Sequence, residues 1–176
     1  LSCSPGAGSG GAELSVAIDA AGLPAGTYGG TVSIADANAV NSPGAIEVTL
    51  TVYGTGSSGL PFGSFDSPRD GLTVTGGIAV TGWAVDNIGI AGVRVYRDPA
   101  GGGGGGMVYI GGATLVEGAR TDIEELYPGY PGNHKAGWGY MMLTNMLPNQ
   151  GNGTFRLHAE ATDMEGNIVS LGTKTI

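Results

Sequence analysis

Cysteine is almost missing: Cys3 is the only one in 176 residues. A lone thiol closes no internal disulfide and builds no cysteine-rich zinc site. Basic residues are scarce too, with 7 Lys and Arg against 15 Asp and Glu, a net charge of −8 and a pI near 4.4. An acidic surface of this kind repels phosphate backbones, which argues against nucleic acid and anionic membranes as partners. No apolar run is long enough to span a bilayer and no signal peptide is recognised, so no membrane insertion is expected. Histidine occurs twice, at His134 and His158, and both read as exposed surface residues. Neither a G-x-S-x-G nor an H-E-x-x-H pattern is present. Nucleophilic and zinc-dependent catalysis both lack their parts. The chain is not expected to be an enzyme.

Glycine is abundant instead, at 36 residues, well above the ordinary share of about 7%. It has no three-residue period, so a collagen helix is excluded. The glycines fall between apolar alternating segments, where all-β folds place their turns. Strict alternation is clearest in two stretches. Ile46, Val48, Leu50 and Val52 share one face, with Glu47, Thr49, Thr51 and Tyr53 on the other. Phe155, Leu157, Ala159 and Ala161 repeat the pattern. One solvated and one buried face is the signature of antiparallel sheet.

Three strands are predicted in the first part, over residues 12–20, 28–35 and 45–53. The composition of Gly54 to Gly59 reads as a flexible linker. Eight strands follow, over residues 61–66, 72–75, 78–85, 91–97, 107–115, 138–144, 154–162 and 168–176. The alternation slips near Gly82, which a β-bulge explains. One short helix is expected from Thr121 to Leu126, with Thr121 as N-cap and Glu124 at capping-box spacing. The glycine run at residues 101–106 is followed by a strand and no Lys, so it reads as a hairpin tip and not a phosphate loop.

Leu23-Pro24-Ala25-Gly26-Thr27-Tyr28-Gly29-Gly30-Thr31-Val32, with Leu1 to Pro5, Asn41 to Pro43 and Val48 to Val52, resembles the C-terminal half of a BACON-type domain. That family is an immunoglobulin-like β-sandwich of secreted and surface bacterial proteins. Residues 61–176 resemble bacterial immunoglobulin-like modules of large extracellular proteins, through Pro61 to Pro68, Gly82-Trp83-Ala84, Gly137 to Tyr140 and Ala161 to Asn167. The resemblance implies tandem immunoglobulin-like sandwiches, an extracellular or cell-surface location and a spacer, adhesive or accessory role. It brings no catalytic residue. The expected organisation is an incomplete sandwich at residues 1–53, a linker at 54–59 and a second sandwich at 60–176.

Three sets of residues carry functional expectations. Ile46, Val48, Leu50 and Val52 form an apolar face that three strands cannot cover, so it serves as an assembly edge for self-association or for a neighbouring domain. Residues 168–176 are a candidate donor strand. Tyr127, Tyr130, Trp138 and Tyr140 are the alternative, a carbohydrate-binding platform for a polysaccharide. Asp86, Asn87, Asp163, Glu165 and Asn167 offer oxygen ligands to calcium, the one cofactor the pattern leaves open, although the same residues are ordinary turn formers.

Overall fold

The computed structural model describes residues 1–8, 11, 13–102 and 105–176, so the centre of the glycine run lies outside the described residues. The fold is all-β and antiparallel, and the chain divides into two compact units, Leu1–Ser57 and Ser58–Ile176.

In the first unit, β1 (Ser2–Ser4) pairs with β2 (Ser15–Ala17), and β3 (Gly26–Ile34) pairs with β4 (Gly44–Val52). The strand expected over residues 12–20 is therefore shorter. Its partner ends at Ser4 because Pro5 has no N–H to continue the ladder.

The second unit holds one seven-stranded sheet. Its members are β5 (Phe62–Ser67), β6 (Gly77–Val85), β7 (Ile90–Arg97), β8 (Val108–Val116), β9 (Gly137–Leu143), β10 (Arg156–Asp163) and β11 (Ile168–Thr175). Their spatial order is β11-β10-β7-β8-β9-β6-β5. The strands fall into two antiparallel layers of a sandwich, β5-β6-β9-β8 in one and β7-β10-β11 in the other. Strand β8 belongs to both layers. Its first part pairs with β7 as far as Ala113, and Thr114 to Val116 pair with β9. Between the layers, Val80, Val95, Leu157, Ala159 and Ala161 are wholly buried. Each large aliphatic side chain among them contributes about 1.5–3 kcal/mol.

Several expectations are corrected by this packing. Residues 72–75 join no ladder; they lie between two left-handed glycines, Gly71 and Gly76, and the Leu72 N–H closes a turn onto the Arg69 carbonyl at 3.2 Å. The alternation of β6 does not slip. Ile78, Val80, Gly82 and Ala84 all point inward, and the bulge lies on the neighbouring strand, between Phe65 and Ser67. Trp83 and Val85 point outward and are apolar because residues 117–136 fold over them, with Ile123 and Ala136 buried against Val85. Helix α1 (Thr121–Leu126) sits in that covering segment. Its N-cap is Arg120, not Thr121, and no side chain caps it. Arg120 instead bonds Asp122 at 2.8–2.9 Å and Asp66 at 2.6 Å, which ties the covering segment to β5. Hydrogen bonding to Arg120 lowers the pKa of the exposed Asp122.

Candidate functional site

Nine register pairs, from Gly26↔Val52 to Ile34↔Gly44, join β3 and β4. The pairs Tyr28↔Leu50, Gly30↔Val48 and Val32↔Ile46 place these side chains on one face, as the alternation predicts. That face is poorly covered. Val32 is the one buried apolar side chain among the described residues of this unit; Val48, Leu50 and Val52 are half-buried, and Ile46 is 49% exposed. Leu1 packs over Gly30, where a Cβ would stand 3.2 Å from its Cδ2, and a groove runs between this segment and Val32 and Ile34. Among the described residues, neither β3 nor β4 has a second hydrogen-bonded neighbour. Both outer rims therefore present unpaired backbone groups.

The electrostatics of the unit are one-sided. Glu13, Asp19, Asp36 and Glu47 meet no Lys, Arg or His within it, because the first basic residue in the chain is Arg69. Glu47 is held on the solvent face by the Thr31 hydroxyl, at 3.2 Å from each carboxylate oxygen. The donor expected at residues 168–176 is already committed: β11 pairs with β10 from Arg156↔Thr175 to Thr162↔Ile168.

The oxygen-bearing residues gather at one end of the second unit. Asp86 and Asp163 are each 1% exposed. Asp86 Oδ1 accepts the Ile88 N–H at 2.8 Å, closing an Asx turn. Asp163 Oδ1 accepts the N–H groups of Glu165 and Asn167, each at 2.9 Å, and its Oδ2 accepts Asn167 Nδ2 at 2.7 Å. Asn87 Oδ1 accepts the Gly59 N–H at 2.9 Å, and the Ser58 hydroxyl donates to Glu165. These side chains clamp the β6–β7 and β10–β11 turns and anchor Ser58 and Gly59. Composition alone marks those two as linker, and no sequence signal announces their bonds. Among the described residues, no group of three or more His, Cys, Asp or Glu is placed to hold a metal ion.

Burial opposes ionisation of Asp163, yet its hydrogen bonds to Asn167, Glu165 and Gly166 outweigh it and hold the pKa below the ordinary carboxylate value. A depressed folded-state pKa adds stability that is present above the unfolded value near 3.8 and is lost as pH falls through the folded value. Thermal melts between neutral pH and pH ~2 should therefore show an acid limb below about pH 4. Asp163→Asn should flatten that limb and cost about 1–3 kcal/mol at neutral pH. An unchanged limb in the variant would show that other carboxylates carry it.

The four aromatic candidates are split. Tyr127 and Tyr130 sit on the outer face of the β5–β6–β9 layer, where Tyr127 stacks on Trp83 at 5.8 Å and meets Tyr130 edge-on at 77°. Phe62 fills the space between them. Trp138, 2% exposed, lies on the opposite face in the inner core beside Phe65, and Tyr140 lies there too, against Gly111. The four therefore form no common plane, and the rings of Tyr127 and Tyr130 pack against each other, Phe62 and Trp83. His158, expected to be exposed, is half-buried and paired with Asp98, Nε2 to Oδ1 at 2.7 Å.

No family model and no curated protein matches the chain.

Proposed function

We propose that the chain is a non-catalytic structural module, extracellular or at the cell surface, that assembles by accepting a β-strand at the β3–β4 sheet. The observation that supports this reading is a two-stranded ladder with nine register pairs, an apolar face left mostly uncovered, and no second neighbour for either strand among the described residues. A two-stranded sheet gains independent stability only when further strands or a packing layer are added. Strand addition supplies both main-chain hydrogen bonds and an apolar cover.

Charge narrows the donor. Symmetric pairing of two copies of this sheet brings acidic surfaces together, so self-association should be weak at low salt and strengthen as salt screens the carboxylates. The complementary strand carries alternating apolar residues, with Lys, Arg or uncharged residues on its solvent face.

Multi-angle light scattering across a concentration series tests the reading. At a salt concentration that screens the carboxylates, the chain is expected to associate as its concentration rises. Val48→Asp should abolish association, because the completed interface would bury an unpaired charge at a cost of several kcal/mol. A chain that stays monomeric at every concentration, or a Val48→Asp variant that associates normally, would sink strand complementation.

A further inference from the structure

One aromatic ring of the second unit is displayed rather than packed away. Tyr109 on β8 is 57% exposed, more than any other aromatic side chain among the described residues. A bulge places it there. The register steps from Val95↔Gly111 to Tyr96↔Tyr109, so Ile110 is the extra residue on β8. Ile110 packs toward the core, and a Cβ on Gly111 would collide with the Tyr140 ring at 2.5 Å. With two successive residues turned inward, Tyr109 and Gly112 both face outward, although three positions apart would otherwise put them on opposite faces. Gly112 has no side chain, and a Cβ there would lie 3.5 Å from the Tyr109 hydroxyl. The tyrosine thus lies down along its own strand. Tyr96 braces it edge-on, with ring centroids 5.7 Å apart at 65°.

The surroundings are polar and balanced. Arg94 lies opposite Gly112 on one side and Glu160 on the other, and His158, next across from Tyr96, is paired with Asp98. Arg94 and Glu160 thus place one charge of each sign side by side on this face, while the chain as a whole carries −8.

We propose that Tyr109 is a stacking platform for a neutral pyranose chain on the β8–β7–β10 face, with Arg94 and Glu160 bonding the sugar hydroxyls. A flat ring with one face free suits the C–H face of a sugar with equatorial hydroxyls, and paired donors and acceptors at its rim suit those hydroxyls. The Arg94 and Glu160 pair carries no net charge, which favours a neutral glycan over a uronate.

Titrating cellohexaose into the full chain, read by amide NMR shifts, tests this. Saturable shifts are expected at Arg94, Tyr109 and Gly112. Tyr109→Ala should weaken binding about tenfold or more, while Tyr109→Phe keeps the stacking face and stays within about twofold of the parent. Gly112→Val, which fills the bed under the ring but leaves Tyr109 in place, should also weaken binding. No saturable shift up to millimolar cellohexaose, shifts centred on Tyr127 and Tyr130, or unchanged binding by Tyr109→Ala would each overturn the assignment. None of these substitutions touches β3 or β4, so their outcome is separate from that of the association experiment.

Discussion

Gly82→Ala is expected to destabilise the second unit by about 3 kcal/mol or more, a heavy loss for a domain whose whole stability is on the order of 10 kcal/mol. A Cβ at this position would stand 1.9 Å from the Ser64 carbonyl oxygen and 2.6 Å from the Trp138 ring. Neither neighbour can yield cheaply. Ser64 belongs to β5, held by its ladder with β6, and Trp138 is enclosed in the core at 2% exposure. The new methyl would therefore meet both backbone and an immobile ring within a close-packed layer. Thermal unfolding should shift downward by on the order of 10 °C. An unchanged midpoint would mean that β5 and β6 are not pressed together at this point. Gly77→Ala is the control on the same strand, since its nearest neighbours are the flexible ends of Leu143 and Met141 at 3.6–3.7 Å.

Trp138→Ala should be the most damaging truncation, at about 3–5 kcal/mol. The indole fills the volume that Gly82 leaves open and packs beside Phe65, with ring centroids 5.7 Å apart. Its Nε1 is buried with no acceptor among the described residues. That N–H brings no hydrogen-bond stabilisation to set against its desolvation. Trp138→Phe should accordingly be far milder than Trp138→Ala, despite the smaller ring. Chemical denaturation of the two variants measures the difference. Equal losses would mean that the indole nitrogen has a partner and that packing volume is not what matters here.

Short-range pattern made most of the strands legible. Residues 45–53 and 154–162 alternate because one face of each strand looks inward, and the turns between strands carry Asp, Asn and Gly at the positions that need them. What alternation cannot reveal is a second cover on the outer face. Trp83 and Val85 break the expected pattern only because residues 117–136 come back across the sheet, a contact between segments far apart in sequence. The same limit governs the aromatic residues. Tyr127, Tyr130, Trp138 and Tyr140 are neighbours in sequence but lie on two faces of one layer, while Tyr109 stands apart from them and is the ring left open. Its exposure depends on one extra residue in β8 and on a missing side chain at Gly112, which no composition or spacing rule ranks highly. The turn carboxylates were readable as turn formers, since their acceptors serve N–H groups only two to four residues away.

Because β8 changes partners midway, the two layers are riveted on that side by a single continuous strand. Among the described residues, the opposite seam, between β5 and β11, has no such strand. There the closure relies on small fastenings near the C-terminus: the Gly71 N–H to the Thr175 carbonyl at 2.8 Å, and the Thr175 N–H to the Asp70 carboxylate at 2.6 Å. The seam between β5 and β11 is therefore held by side-chain and turn contacts rather than by a shared strand, and a change at Asp70 loosens it where no change at a single side chain could part the layers along β8.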